Sequence, residues 1–230
     1  VWHFDETLGT RIADEGPGAI DGTAGADTRS GLGRIRGART FTRTIESFVW
    51  APYRPALETP AALTIEAWIR LDAFGQYEDT PIAARWNPST TDQCWFFSVG
   101  GRNLQPPLAT LPSPGDHAAL IPTGFQNRTL AKLMFAFQPR EAGRARAFFS
   151  SQSLELDRWT HVAATFDGRA VRFYLNGRLD SQYAVTGTIR PSEAPLLVGN
   201  AFDPRALTGF GGDLRVGNDV DRNPYYAFEG

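Results

Sequence analysis

The sequence predicts an all-β protein, a two-sheet antiparallel β-sandwich of the jelly-roll kind, and three observations carry that expectation. Short segments of alternating apolar character recur about every ten residues, with Gly, Asn and Asp turns between them. No stretch shows convincing helical periodicity. The chain has 230 residues, 42% of them hydrophobic and 21% charged, the balance of a globular protein long enough for one large sandwich.

Taken in order, Val1 to Phe4 (VWHF) is expected as a short strand. Thr7 to Gly33 is rich in Gly, Asp, Ala and Thr and reads as loop, with one short strand at Gly22 to Ala24. Arg34 to Phe41 and Glu46 to Trp50 are expected as strands around a Thr-rich turn. Leu63 to Leu71 alternates cleanly: Leu63, Ile65, Ala67, Ile69 and Leu71 face one way, and Thr64, Glu66, Trp68 and Arg70 the other. Pro81 to Trp86 and Gln93 to Val99 follow as a pair. Gly100 to Arg128 carries four prolines that break any strand, and a loop of that length is unusual in a compact domain. Leu130 to Phe137 and Arg144 to Ser150 resume the sheet.

Residues 154–180, LELDRWTHVAATFDGRAVRFYLNGRLD, hold the strongest signal. Val162, Ala164 and Phe166 fall on one face of the first strand, and Val171, Phe173 and Leu175 on one face of the second. Asp167-Gly168 is expected as the turn between them, with both central residues at positive φ, and Asn176-Gly177 as the next turn. Late in the chain, Pro195 to Gly199 and Asp213 to Gly217 share a Leu-x-Val-Gly-Asn pattern too short to be an internal repeat.

Several classes are disfavoured. A formal charge of −2, with basic residues spread along the chain, provides no field for nucleic acid. No apolar run approaches the length of a bilayer-spanning helix. The lone Cys94, in QCWFFSV, has apolar neighbours and is expected to be a buried structural thiol.

Trp-x-His-Val-Ala at 159–163, Asp167-Gly168 and Phe-Tyr-Leu-Asn-Gly at 173–177 together resemble the central hairpin of laminin G-like domains, of the concanavalin A-like lectin and glucanase group. The opening WHFDE with the later Asp21-Gly22-Thr23 is similar to the start of bacterial modules of that kind. The resemblance implies one concanavalin A-like domain over residues 1–230, a segment of a longer, secreted or surface protein. It also implies a terminal strand that this sequence lacks after Phe228-Glu229-Gly230, leaving an open edge for a neighbouring domain or chain. Asp5, Asp21 and Gly22 match contributors to a structural Ca²⁺ site in such domains, although the partner Asp of the final strand is missing. The competing reading of Asp21-Gly22 is a plain turn.

Catalytic patterns are not found. The only candidate for the glucanase E-x-D-x-(x)-E pattern, Glu155-Leu156-Asp157, precedes a strand and lacks a third carboxylate in register. His3, His117 and His161 sit in no lyase motif, and no Gly-x-Ser-x-Gly elbow is present. The expected function is therefore a non-catalytic module that binds a glycan or a protein. A spacer that docks through its open edge, or a glycosidase or lyase, are the alternatives. Two surfaces are candidates. One is the displayed face carrying Glu66, Trp68, Arg70, His161, Arg172 and Tyr174, where rings stack on sugar C–H faces and charges bond hydroxyls. The competing expectation is that a loop, such as 100–128, covers it. The other is a loop rim around Arg85, Trp86 and Trp95, beside Asn87 and Asp92, with Tyr225 and Tyr226.

Overall fold

The structure, a computed structural model, describes residues 1–42, 44, 46–74, 80–86, 93–100, 131–141, 145–200, 228 and 230. Its strands are β1 (Arg11–Ile12), β2 (Gly22–Ala24), β3 (Arg29–Leu32), β4 (Gly37–Thr40), β5 (Val49–Ala51), β6 (Leu63–Ile69), β7 (Thr80–Trp86), β8 (Gln93–Val99), β9 (Lys132–Phe137), β10 (Arg146–Ser153), β11 (Thr160–Phe166), β12 (Ala170–Leu175), β13 (Arg178–Ala184) and β14 (Leu196–Val198). They form an eight-stranded sheet ordered β1-β2-β5-β14-β7-β8-β9-β10, a four-stranded sheet ordered β13-β12-β11-β6, and the separate hairpin β3-β4. All the pairings between these strands are antiparallel.

The core lies between the two larger sheets. Phe97, Leu133, Phe135 and Phe137 pack from the eight-stranded sheet against Val162, Phe166, Val171 and Phe173 of the four-stranded one. Phe137 and Phe166 meet across the interface with ring centroids 4.8 Å apart. Alternation explains the smaller sheet: on β6, Leu63, Ile65, Ala67 and Ile69 pack inward while Thr64, Glu66 and Trp68 are exposed. The larger sheet differs because its other face is apolar too. Ala84, Trp86, Phe96, Met134, Ala136, Ala147 and Phe149 form a second buried cluster there. Strands buried on both faces read as continuous apolar runs, which is why QCWFFSV and KLMFAF show no alternation. Cys94 is buried as expected.

The hairpin turns follow their chemistry with one correction. Asn176 and Gly177 both have positive φ between paired Leu175 and Arg178, as a type I′ turn requires. At the preceding turn, Gly168 has positive φ and Asp167 does not. Asp167 N–H bonds the Ala170 carbonyl, so the central pair is Gly168-Arg169, with glycine first as in a type II′ turn. Asp167 instead holds the loop from outside, its Oδ1 accepting the Arg169 and Ala170 N–H groups.

Other expectations shift. Val1 to Phe4 makes a single bridge, Trp2 to Asp14, and the strand lies later at β1. The strand expected over Arg34 to Phe41 is the second arm of the β3-β4 hairpin, closed by Gly33 N–H to the Arg36 carbonyl (2.9 Å). Phe228 N–H bonds the Gly199 carbonyl, and Gly230 exchanges both backbone hydrogen bonds with Phe41. The irregular stretch from 101 onward, His117, the strand expected at 213–217, and Asn87, Asp92, Tyr225, Tyr226 and Glu229 lie outside the described residues.

Candidate functional site

The four-stranded sheet turns one face to the core and displays the other. Its register sets cross-strand rows. Trp68 pairs with His161; Glu66, Ala163 and Tyr174 form the next row; Thr64, Thr165, Arg172 and Gln182 form the third. Five of the six residues expected on this face, Glu66, Trp68, His161, Arg172 and Tyr174, thus fall in three adjacent rows. The sixth, Arg70, lies just past the end of β6. Trp68 is 39% exposed and Glu66 is open to solvent on this face. Residues 101–128, the loop expected in the alternative to cover this face, lie outside the described residues.

Trp68 is fixed from two sides. Its indole meets the His161 imidazole edge-on at 5.4 Å, and the Arg34 guanidinium lies 5.5 Å from its ring centroid. His161 Nε2 is 3.4 Å from Glu66 Oε2, and the Asn176 carboxamide oxygen accepts the His161 N–H. The Asn-Gly turn therefore anchors the strand that carries the imidazole. Arg70 lies over the Trp159 ring at 6.0 Å and pairs with Asp72 at 3.3 Å.

At the other end of the face, Arg172 donates from Nη1 to Asp167 Oδ2 (2.6 Å) and from Nε to Gln182 Oε1 (2.9 Å). The Arg172 bond, with the Arg169 and Ala170 N–H groups, holds the Asp167 carboxyl down to about 2. The result is a sheet face carrying an indole, a phenol, an imidazole–carboxylate pair and an oriented guanidinium. These groups are chemically able to stack on an apolar ring face and to bond hydroxyl groups.

Of the loop-rim candidates, Arg85, Trp86 and Trp95 are buried. Arg85 is 0% exposed and Trp86 is 3% exposed. Arg85 donates from Nε to the Ala194 carbonyl (3.2 Å), from Nη1 to the Leu57 carbonyl (2.7 Å), and from Nη2 to Glu58 Oε1 (3.0 Å) and the Ser192 carbonyl. It also lies over the Tyr53 ring at 5.6 Å. Its donors are spent on three backbone carbonyls and one carboxylate, so it ties β7 to the segments around 57 and 193. Trp86 packs edge-on against Phe96 at 6.2 Å in the second cluster, and Trp95 lies in the main core.

The residues expected to hold Ca²⁺ do not fit that ion as they stand. Asp5 Oδ1 accepts the Gly37 N–H (2.8 Å), and Oδ2 faces Arg36 at 3.5 Å. Asp21 Oδ1 accepts the Asp14 N–H (3.0 Å), and Oδ2 takes Arg11 at 2.7 Å. These donors hold both carboxyls below the usual range, the backbone N–H acting most strongly in each. A guanidinium thus stands where a cation would. Gly22 is buried in β2, where a Cβ would come within 2.8 Å of Val49 Cγ1, which explains the glycine by packing. Among the described residues, no three His, Cys, Asp or Glu side chains converge on one point.

Glu155 and Asp157, the one carboxylate pair weighed for catalysis, sit in the turn before β11. Glu155 pairs with Arg158 (2.8 Å), and Asp157, in the left-handed region, donates its N–H to Leu71. Two features of the displayed face were not anticipated. β13, with Gln182 and the exposed Leu179, follows the Asn-Gly turn, and the alternation in LDSQYA was its signal. Arg34 arrives from a hairpin remote in sequence, and nothing local announces it.

Comparison with known proteins agrees with this architecture. Residues 47–220 match the laminin G family model described as "Concanavalin A-like lectin/glucanases superfamily". None of the curated proteins matches the chain. Among solved structures it is similar to the binding domain of Paraclostridial Mosquitocidal Protein 1 (12% identity, TM-score 0.57), covering 85% of this chain and 45% of that one. It is also similar to domain 4 of AbnA, a GH43 extracellular arabinanase from Geobacillus stearothermophilus, solved with arabinotriose (14% identity, TM-score 0.54), covering 87% of this chain and 82% of that one. The chain thus spans under half of the first structure and most of the second.

Proposed function

The chain belongs to the laminin G family of the concanavalin A-like lectin/glucanases superfamily, and from that premise we propose that it is a non-catalytic recognition module of a secreted or surface protein. Its ligand is a carbohydrate, taken on the outer face of the four-stranded sheet. The observation that carries this reading is the half-open Trp68 ring, braced by His161 and Arg34 and bordered by Glu66. An exposed indole held in one orientation loses little freedom when a sugar ring stacks on it, while the neighbouring charges select hydroxyl positions. The arabinanase domain of similar fold was solved with a trisaccharide, which is compatible with a sugar ligand here. Binding is independent of calcium, because Asp5 and Asp21 are already paired with arginines.

A glycan panel run with calcium and again with a chelator tests the proposal. The expected result is binding to one sugar class under both conditions, weakened by Trp68→Ala about tenfold to a hundredfold. Silence across the panel from a folded sample would sink the carbohydrate reading. A second reading, a spacer that docks a partner strand, is favoured by one observation: among the described residues, β6 has a hydrogen-bonded neighbour in its sheet on one side only, β11. It predicts that a proline at Glu66 abolishes partner capture while Trp68→Ala leaves it intact.

A further inference from the structure

The β3-β4 hairpin is explained neither by the core nor by the sugar-binding reading. All four residues of β3 are exposed, and among the described residues its sheet contains β4 alone. At its tip, Leu32 is 94% exposed and Ile35 is 65% exposed, with Arg34 and Arg36 interleaved. The segment Phe4 to Gly9 flanks the hairpin, through Ser30 Oγ to the Thr7 carbonyl and Arg39 to the Gly9 carbonyl, and it carries Leu8, exposed as well. Arginines stand at 29, 34, 36, 39 and 43, and no acidic residue falls between 28 and 45. Asp5 takes Arg36, whereas Arg29 and Arg34 have no carboxylate partner among the described residues.

We propose that this hairpin is a peripheral membrane anchor, and that its partner is the surface of an anionic lipid bilayer. Two exposed aliphatic side chains three positions apart at one hairpin tip are unusual on a protein surface, where exposed apolar residues are normally scattered singly. An acidic polysaccharide would satisfy the arginines but offers nothing to Leu32 and Ile35. A bilayer takes both, the aliphatic groups entering the headgroup–acyl boundary and the guanidinium groups meeting lipid phosphates. Arg34 also rests on Trp68, so a hairpin seated in the membrane places the sheet face beside it. The anchor does not depend on that face binding a sugar.

The test is co-sedimentation of the purified protein with vesicles of phosphatidylcholine alone and of phosphatidylcholine with about a third phosphatidylserine. The expected result is binding to the phosphatidylserine vesicles only, falling as salt is raised. Leu32→Asp with Ile35→Asp should lower partition by about a hundredfold or more, since each buried aliphatic side chain is worth roughly tenfold or better. Arg29→Gln with Arg34→Gln should cost about twentyfold, near fivefold per charge. Both pairs are on the surface, so melting temperatures should match the wild type. Trp68→Ala should leave vesicle binding within a few-fold, which separates failure of the anchor from failure of the sugar site. Wild-type protein left in the supernatant with phosphatidylserine vesicles would overturn the proposal, as would undiminished binding by the Leu32/Ile35 variant. Capture by an acidic polysaccharide that ignores Leu32→Asp and Ile35→Asp, without vesicle binding, would also overturn it.

Discussion

Replacing Arg85 with methionine tests whether this residue is a structural tie or a ligand contact. The side chain has 0% exposure and bonds the carbonyls of Leu57, Ser192 and Ala194 and the Glu58 carboxylate. A hydrogen bond to a charged group is worth about 1.5–3 kcal/mol, so four would exceed 6 kcal/mol if simply summed. They do not sum, because burying a guanidinium costs several kcal/mol that methionine avoids. Three carbonyls and a partly exposed carboxylate are left without their donor. The net loss expected on breaking such a buried pair is about 3–5 kcal/mol. At about 2–4 °C per kcal/mol for a domain of this size, the melting temperature should drop by roughly 10 °C. Urea unfolding followed by tryptophan fluorescence measures the free-energy loss and a thermal scan the melting temperature, with Arg85→Lys alongside. Lysine keeps the charge but cannot fork to four acceptors, so it should recover less than half of the loss. A change below about 1 kcal/mol would refute the reasoning, and unchanged stability with lost sugar binding would return Arg85 to the ligand site.

Other consequences are as direct. Asp167 has a folded pKa lowered from 3.8 to about 2, so its contribution to stability is complete above the unfolded value and lost as pH falls through the folded one. The stability difference between wild type and Asp167→Asn should hold steady above about pH 5 and vanish toward pH 2, read from urea midpoints across that range; a difference that persists at pH 2 contradicts the assignment. Gly199→Ala should destabilise by at least 2 kcal/mol by urea unfolding, because Gly199 has φ +80° and a Cβ would land on the Phe41 ring. Millimolar calcium should leave the melting temperature unchanged; a rise of several degrees would mean that Asp5 and Asp21 exchange their arginines for the ion.

The sequence made the smaller sheet readable and the larger one only partly so, for a physical reason. On β6 the two faces differ in chemistry, Leu, Ile and Ala against Thr, Glu and Trp, so both the strand and its displayed side follow from period two. On β7 and β8 both faces are apolar, and period two carries no information about which side a residue takes. Arg85 is the instructive failure. A charged residue at a strand end reads as exposed, and its burial depends on carbonyls at 57, 192 and 194, which strand pairing brings to it from distant parts of the chain. The same limit hid Arg34, whose contact with Trp68 joins residues 34 apart with no shared pattern. For Asp5 and Asp21 the acidic type was visible, but the arginine on each carboxylate was not.

Trp68 and Trp86 show how a residue's surroundings decide between platform and packing. Each ends a seven-residue β-segment or lies one residue from its end, and each is an indole beside an arginine in sequence or in space. Trp86 shares its face with Ala84, Phe96, Met134 and Ala136, so its ring completes an apolar layer, and removing it leaves a cavity. Trp68 shares its face with Thr64, Glu66 and His161, groups that cannot exclude water from it. Its ring is thereby kept half-wet but oriented, so a ligand can displace that water without reordering the protein. The two truncations should therefore separate: Trp86→Ala lowers stability by about 3–5 kcal/mol, whereas Trp68→Ala falls mainly on binding. That separation, rather than the loss of binding alone, locates the site on the four-stranded sheet.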